Sequence, residues 1–208
     1  MTRSTPTLLQ ARHLRFGWPG QPLFHDLRFD LPAGLSLVTG DDGCGKTSLL
    51  RLIAGELVAD GGTLALTGSS AQPGDATWRA QVFWIDPQTE AHDAISAAGY
   101  LESLHQHCPT FSTDALADLV EGFDLQPHLG KPLYMLSTGT RRKVWLSAAF
   151  AAGAAITLID QPFAALDGPA IRFLRELLQD VAQHPSRAWV IADHEAPADV
   201  PLAATIAL

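Results

Sequence analysis

The chain has 208 residues, of which 47% are apolar and 17% charged, a balance that excludes a disordered or fibrous protein. Fourteen basic against 22 acidic side chains give a formal net charge of −8, which argues against a surface built to follow a nucleic-acid backbone. The two cysteines are too few for a disulfide framework and read as thiols of a reducing compartment. The opening residues, MTRSTPTLLQARHLRF, lack the apolar core of a signal peptide. The longest apolar run, Ala148 to Ile159, has 12 residues, whereas a membrane helix needs about 20.

In chain order, residues 8–16 alternate as a strand does, Gly17-Trp18-Pro19-Gly20 reads as a turn, and Phe24 to Leu31 reads as a second strand. Gly34 to Thr39 is a short apolar strand running into a glycine-rich segment. Thr47 to Ala54 is helical and stops at Gly55. Gly62 to Leu66 suggests an edge strand, Gly68 to Thr77 a polar loop, and Val82 to Ile85 another strand. Residues 93–108 and 113–123 carry helical periodicity. Then the alternation resumes: helix 138–152, strand 155–160, helix 169–183, strand 188–192 and a last strand at 203–208. In the helix at 169–183, Ile171, Leu174, Leu178 and Val181 share one face. Strands alternating with helices predict an α/β fold with a parallel sheet, and residues 89–135 predict a helical insert in it.

Gly40-Asp41-Asp42-Gly43-Cys44-Gly45-Lys46-Thr47 fits GxxxxGK[ST] in full, between a predicted strand and a predicted helix. Each part has a physical task. Glycines let backbone N–H groups turn inward as an anion nest. The following helix, which includes Ser48, points its positive end at phosphates. Lys46 is expected to reach the terminal phosphates and Thr47 to ligate Mg²⁺. Asp42 is unexpected beside a polyphosphate, so it either points outward or weakens binding. Cys44 reads as a small filler. A second motif, Ile156-Thr157-Leu158-Ile159-Asp160-Gln161, ends an apolar strand in an acid suited to hold Mg²⁺ through water.

With these residues in view, nearly the whole chain resembles the ATP-binding cassette (ABC) ATPase family, whose motifs appear in order. Trp18 sits where the family has an aromatic that stacks on adenine. Gly40 to Thr47 resembles its Walker A loop. Gln88 resembles the Q-loop glutamine, which touches Mg²⁺ and senses the transmembrane partner. Leu136-Ser137-Thr138-Gly139-Thr140 resembles the LSGGQ signature. Asp160 resembles the Walker B acid, the run ending in Asp167 the D-loop, and His194 the switch histidine that contacts the γ-phosphate. Alone, Trp18 would read as a packed turn residue, Gln88 as a surface glutamine and His194 as a strand-end histidine; their order makes the pattern specific. Ser137 is placed to N-cap the helix that follows. The resemblance implies that this helix end binds the ATP held by a second copy. Arg141, Arg142 and Lys143 read as the solvated face of that helix. His105-Gln106-His107-Cys108 sets ligand types two apart on a helix, off a common face, and is not read as a metal site.

The sequence also departs from the family. Gln161 stands where the family has the Glu that polarises the attacking water. Glutamine accepts a hydrogen bond from water but does not take its proton, and loss of a general base typically slows a reaction ~10²–10⁴-fold. Thr138 replaces a signature Gly, Thr140 the signature Gln, and Ala164 the usual D-loop Ser.

The resemblance implies a P-loop NTPase core, mainly parallel sheet with flanking helices and N-terminal antiparallel strands, made of residues 1–88 and 136–208, with a helical subdomain at 89–135. It implies the nucleotide-binding subunit of an ABC transporter, with ATP and Mg²⁺ as cofactors and slow hydrolysis. The expected partners are a homodimer or heterodimer mate and a separate transmembrane permease, placing the chain at the inner face of the cell membrane. The short length and the DxPFxALD run from Asp160 to Asp167 are similar to the small haem-exporter ATPases of cytochrome c maturation. The alternative is a soluble ATP-dependent switch, or a hydrolysis-deficient ABC paralogue serving as a regulatory binding module.

Overall fold

A computed structural model describes residues 6–208; the first five residues, on which part of the signal-peptide reading falls, lie outside the described residues. Two long strands, β1 (Thr7–Trp18) and β2 (Gln21–Pro32), pair antiparallel, and β4 (Gly61–Leu66) pairs antiparallel with the other edge of β1. Their alternating burial explains why they read as strands: Leu9, Ala11, Leu14 and Phe16 point into the core between exposed or half-exposed neighbours.

The second sheet has the order β5-β6-β7-β3-β8, all its pairs parallel: β5 (Val82–Phe83), β6 (Ile156–Asp160), β7 (Ala188–Ala192), β3 (Gly34–Thr39) and β8 (Ala204–Ala207). Its three central strands are buried on both faces, which is why they are apolar without alternation. Val38, Leu158 and Val190 pack toward α1 (Lys46–Ala54) and the antiparallel sheet. Leu37, Ile159 and Ile191 pack the other way, into a core shared with α5 (Thr138–Ala151) and α6 (Gly168–Val181). Leu174 and Leu178 of α6 are fully buried, while Ile171 and Val181 flank them half-buried. Between β5 and α5 lie α3 (Ala97–His107), α4 (Thr113–Gly122) and two short 3-10 turns.

The structure corrects the sequence reading in several places; among them, Gly17 and Trp18, read as part of a turn, end β1. The expected loop at 68–77 runs into a one-turn helix, α2 (Ala76–Arg79), because the Asp75 carboxylate accepts from the Trp78 N–H and caps it. Trp78 anchors this turn: it is fully buried and its indole N–H donates to the Ile53 carbonyl at 2.8 Å. The helix expected from residue 93 starts at Ala97, since Ser96 caps it by accepting from the Gly99 N–H. The strand at 82–85 stops at Phe83, its last partner being Thr157.

Candidate nucleotide site

The six residues between β3 and α1 form the glycine-rich loop. Gly43 and Gly45 have φ of +76° and +107°, which side-chain-bearing residues rarely adopt. At Gly45 a Cβ would also lie 2.9 Å from the Phe24 ring. Gly45 caps α1 without any side-chain hydrogen bond, so the helix presents its N-terminal amides unserved by a side chain. The Lys46 ammonium, nearly buried, donates to the carbonyls of Gly40 at 2.7 Å and Asp41 at 3.0 Å.

One residue on, the Thr47 hydroxyl donates to Asp160 Oδ2 at 2.5 Å. Asp160 ends β6 and is 7% exposed. Burial pushes its carboxyl pKa up, against the Thr47 hydrogen bond and the charges of Arg142 and Lys46. Its other oxygen, Oδ1, is buried with no hydrogen-bond partner among the described residues. A buried carboxylate oxygen with a lone pair unserved, beside a hydroxyl, is the hard-oxygen donor set that Mg²⁺ takes. The residues present therefore fit the metal the motifs imply.

Trp18, Asp42, Lys46, Thr47, Ser48 and Gln161 line one cleft of about 280 Å³. The indole N–H of Trp18 donates to Ser48 Oγ at 3.3 Å, and its ring stands edge-on to Phe16. Gln161 is exposed, holds φ +46°, and donates its backbone N–H to the Ala192 carbonyl at 2.8 Å. That left-handed turn at the strand end aims the residue into the cleft rather than along the sheet. Asp42 does point outward, with its side chain 92% exposed, and it meets His194: Nε2 lies 3.2 Å from Asp42 Oδ1. The Thr39 hydroxyl donates to the His194 carbonyl at 2.9 Å, which ties the histidine loop to the start of the glycine-rich loop. Gln21 and Leu23 of β2 also line the cleft. They carry no local motif, and only the fold of β2 against the loop brings them there.

Gln88 is not joined to this cluster. It is exposed, its backbone N–H donates to Asp86 Oδ1 at 2.9 Å, and no hydrogen bond links its side chain to Thr47 or Asp160. The signature segment also lies outside the cleft. Ser137 caps α5 as expected, accepting from the Thr140 N–H at 3.1 Å, and its hydroxyl lies 2.9 Å from that of Thr140. Leu136 is half-buried against the core and Thr138 is exposed. Gly139 is held by close packing: a Cβ there would lie 2.4 Å from the Ala165 carbonyl oxygen. Asp167 caps α6 through the Ala170 N–H at 2.9 Å.

The basic run of α5 is not the solvated face expected of it. Arg141 pairs with Asp93 at 2.5 Å, Arg142 donates to the Asp160 carbonyl at 2.7 Å, and Lys143 donates to Asp167 Oδ2 at 2.7 Å. Consecutive helical residues diverge by about 100°, so three neighbours reach three separate segments. Arg142 was therefore missed as a support of Asp160; its position in a basic triplet hid it. Lys143 holds the Asp167 carboxyl below its ordinary pKa, helped by the Ala170 N–H.

Cys44 and Cys108 are free thiols. His105 lies 3.8 Å from Glu102, while the side chain of His107 lies outside the described residues. Among the described residues no helix is long and apolar enough to cross a membrane.

The family described as ABC transporter matches residues 24–164. The taurine import ATP-binding protein TauB of Pseudomonas entomophila (strain L48) is 31% identical over 205 residues, covering 97% of this chain and 78% of that one. The cytochrome c biogenesis ATP-binding export protein CcmA of Pseudomonas syringae pv. syringae (strain B728a) is 31% identical over 198 residues, covering 93% and 91%. Among solved structures, an ATP-binding subunit of an ABC transporter superposes with a TM-score of 0.79 at 23% identity, over 90% of this chain and 80% of that one. A Pyrococcus furiosus putative ABC transporter ATP-binding protein superposes with a TM-score of 0.76 at 21% identity, over 95% and 96%. With the glycine-rich loop, the strand-end acid and the parallel sheet all in place, the chain belongs to the ABC transporter family and is an ATP-binding, ABC-type ATPase subunit of it.

Proposed function

We propose that this chain binds Mg-ATP in the cleft between the glycine-rich loop and the end of β6, and hydrolyses it slowly to drive a separate membrane subunit. The observation that carries the reading is the buried, unpartnered Oδ1 of Asp160 beside the Thr47 hydroxyl, at the foot of α1. Backbone amides of Gly40 to Ser48 would hold the phosphates, with Lys46 moving from its two carbonyls to the terminal ones. Thr47 and Asp160 would hold Mg²⁺, with Gln88 as a further ligand once its loop is drawn in. The ion, when bound, neutralises charge on the transferring phosphoryl group. Trp18 would stack on adenine. Gln161 would orient the attacking water without taking its proton, and His194 would meet the γ-phosphate.

The signature segment, Leu136 to Thr140, does not line its own chain's cleft. That supports a second cassette, identical or different, whose signature closes on this ATP while Ser137 and Gly139 serve the other, with Asp167 at the interface. Residues 89–135 would form the helical subdomain that receives the permease, with Gln88 at its hinge, and the remaining residues the ATPase core. Such a complex places the chain on the inner face of the cell membrane.

Steady-state ATP turnover of the chain against Gln161→Glu tests the slow-hydrolysis reading. Restoring a general base should raise the rate ~10²–10⁴-fold; equal rates would overturn it. Isolation from membranes with ATP and Mg²⁺ tests the partner. A co-isolated membrane protein supports transport, and an exclusively soluble partner supports the switch reading.

A further inference from the structure

Two side chains in or beside the cleft, Lys46 and His194, are engaged by the chain's own oxygens. Lys46 is bonded to the Gly40 and Asp41 carbonyls. His194 has one side-chain partner among the described residues, the Asp42 carboxylate. Asp42 in turn has no other side-chain partner among the described residues, and the residue, its carboxylate largely exposed, borders the cleft that Lys46, Thr47 and Gln161 line. The backbone of His194 is fixed on both sides: its N–H lies 2.8 Å from Asp193 Oδ1, and its carbonyl accepts from Thr39. The loop is therefore held against the start of the glycine-rich segment while the imidazole stays half-exposed.

We propose that Asp42 stands in for the terminal phosphate on His194 and thereby selects against ATP relative to ADP when the empty cleft loads. A carboxylate oxygen offers the imidazole N–H the same charge sign and acceptor as a phosphate oxygen. ATP must displace Asp42 to reach His194, whereas ADP brings no third phosphate and leaves the contact closed. The displaced carboxylate then lies beside the polyphosphate, which adds repulsion against the longer nucleotide. The inference rests on the nucleotide-site reading above and adds to it a residue that the glycine-rich pattern leaves unassigned.

The test is calorimetric titration of the full chain with ATPγS and with ADP, each with Mg²⁺. The variants are Asp42→Ala, Asp42→Asn, His194→Ala and the double variant Asp42→Ala/His194→Ala. Asp42→Ala should raise the ATPγS-to-ADP affinity ratio about two- to fivefold, the scale of an exposed ion pair. Asp42→Asn keeps an acceptor and removes the charge, so it should give a smaller rise. With His194 already removed, Asp42→Ala should change the ratio little, because there is no contact left to compete for. Equal tightening of both nucleotides by Asp42→Ala would overturn the proposal. An undiminished gain in the His194→Ala background would also overturn it, since plain charge repulsion would then account for the effect. Failure of the parent chain to bind either nucleotide would overturn the site reading itself. Normal binding by the parent with no effect of Asp42→Ala would overturn only the stand-in.

Discussion

Two helices of this chain, α1 and α5, begin at residues that the family pattern assigns to phosphate, and they begin differently. α1 starts at a left-handed glycine with no side-chain cap, and its first residues carry Lys46 and Thr47 into a cleft. α5 starts at Ser137, whose hydroxyl already serves the Thr140 N–H and lies against the Thr140 hydroxyl, outside that cleft. The first end leaves its amides free of any side-chain cap. The second already has one of its amides served by a side chain. Backbone amides unserved by a side chain accept an anion more readily than amides already capped.

The largest break in this contrast is Lys46→Met. It removes the one ammonium at the loop while leaving α1 its length, and should weaken ATP binding by the single chain about 10- to 100-fold, the range of a charge-assisted hydrogen bond. Calorimetry with ATP and Mg²⁺ measures it, and unchanged affinity would contradict the assignment of α1. Gly139→Ala strikes the other helix through packing, since its Cβ would lie 2.4 Å from the Ala165 carbonyl oxygen. It should destabilise the fold by about 1–3 kcal/mol, read from urea unfolding; no loss would mean that α5 gives way from the Ala165 segment at no expense. Ser137→Ala removes the cap, at about 1 kcal/mol, and should leave single-chain ATP binding intact while weakening ATP-driven self-association, seen by sedimentation. A drop in single-chain binding would place α5 in the wrong role.

The smallest effect concerns the tie between α5 and α6. Lys143 lowers the Asp167 carboxyl below its ordinary 3.8. A depressed carboxyl contributes stability that is fully present above its unfolded-state value and is lost as pH falls through the folded one. The tie should therefore be constant across neutral pH and weaken only below about pH 4. A Lys143→Met variant should show the same unfolding midpoint difference from the parent at pH 6 and pH 8.

How much of this was legible depends on the range of the interaction. The glycine-rich loop was readable because its parts are contiguous and each glycine answers a local backbone demand. The strands at 34–39, 156–160 and 188–192 were readable because burial on both faces leaves an unbroken apolar run. The one-turn helix at Ala76 escaped because four residues have no period to detect. Arg142 escaped because its partner is a backbone carbonyl at the end of another strand, which no residue type signals. The pairing of Asp42 with His194 joins the two ends of the chain, so the sequence showed an acid out of place but not what it meets.

By itself, then, the sequence determined most of the order of strands and helices and the presence of a glycine-rich loop between β3 and α1, since these are matters of local period and residue chemistry. Only the tertiary structure decided which of the ordered motifs share one cleft. It brings Trp18, Asp42, Lys46, Thr47 and Gln161 together, sets His194 against Asp42 at their side, and leaves Gln88 and the signature apart. The physical reason is that a parallel sheet collects the ends of its strands at one edge, so residues at the ends of β3, β6 and β7 converge however far apart they are in sequence. The start of α5 does not line that cleft, and Arg141, Arg142 and Lys143 behind it each reach a different partner.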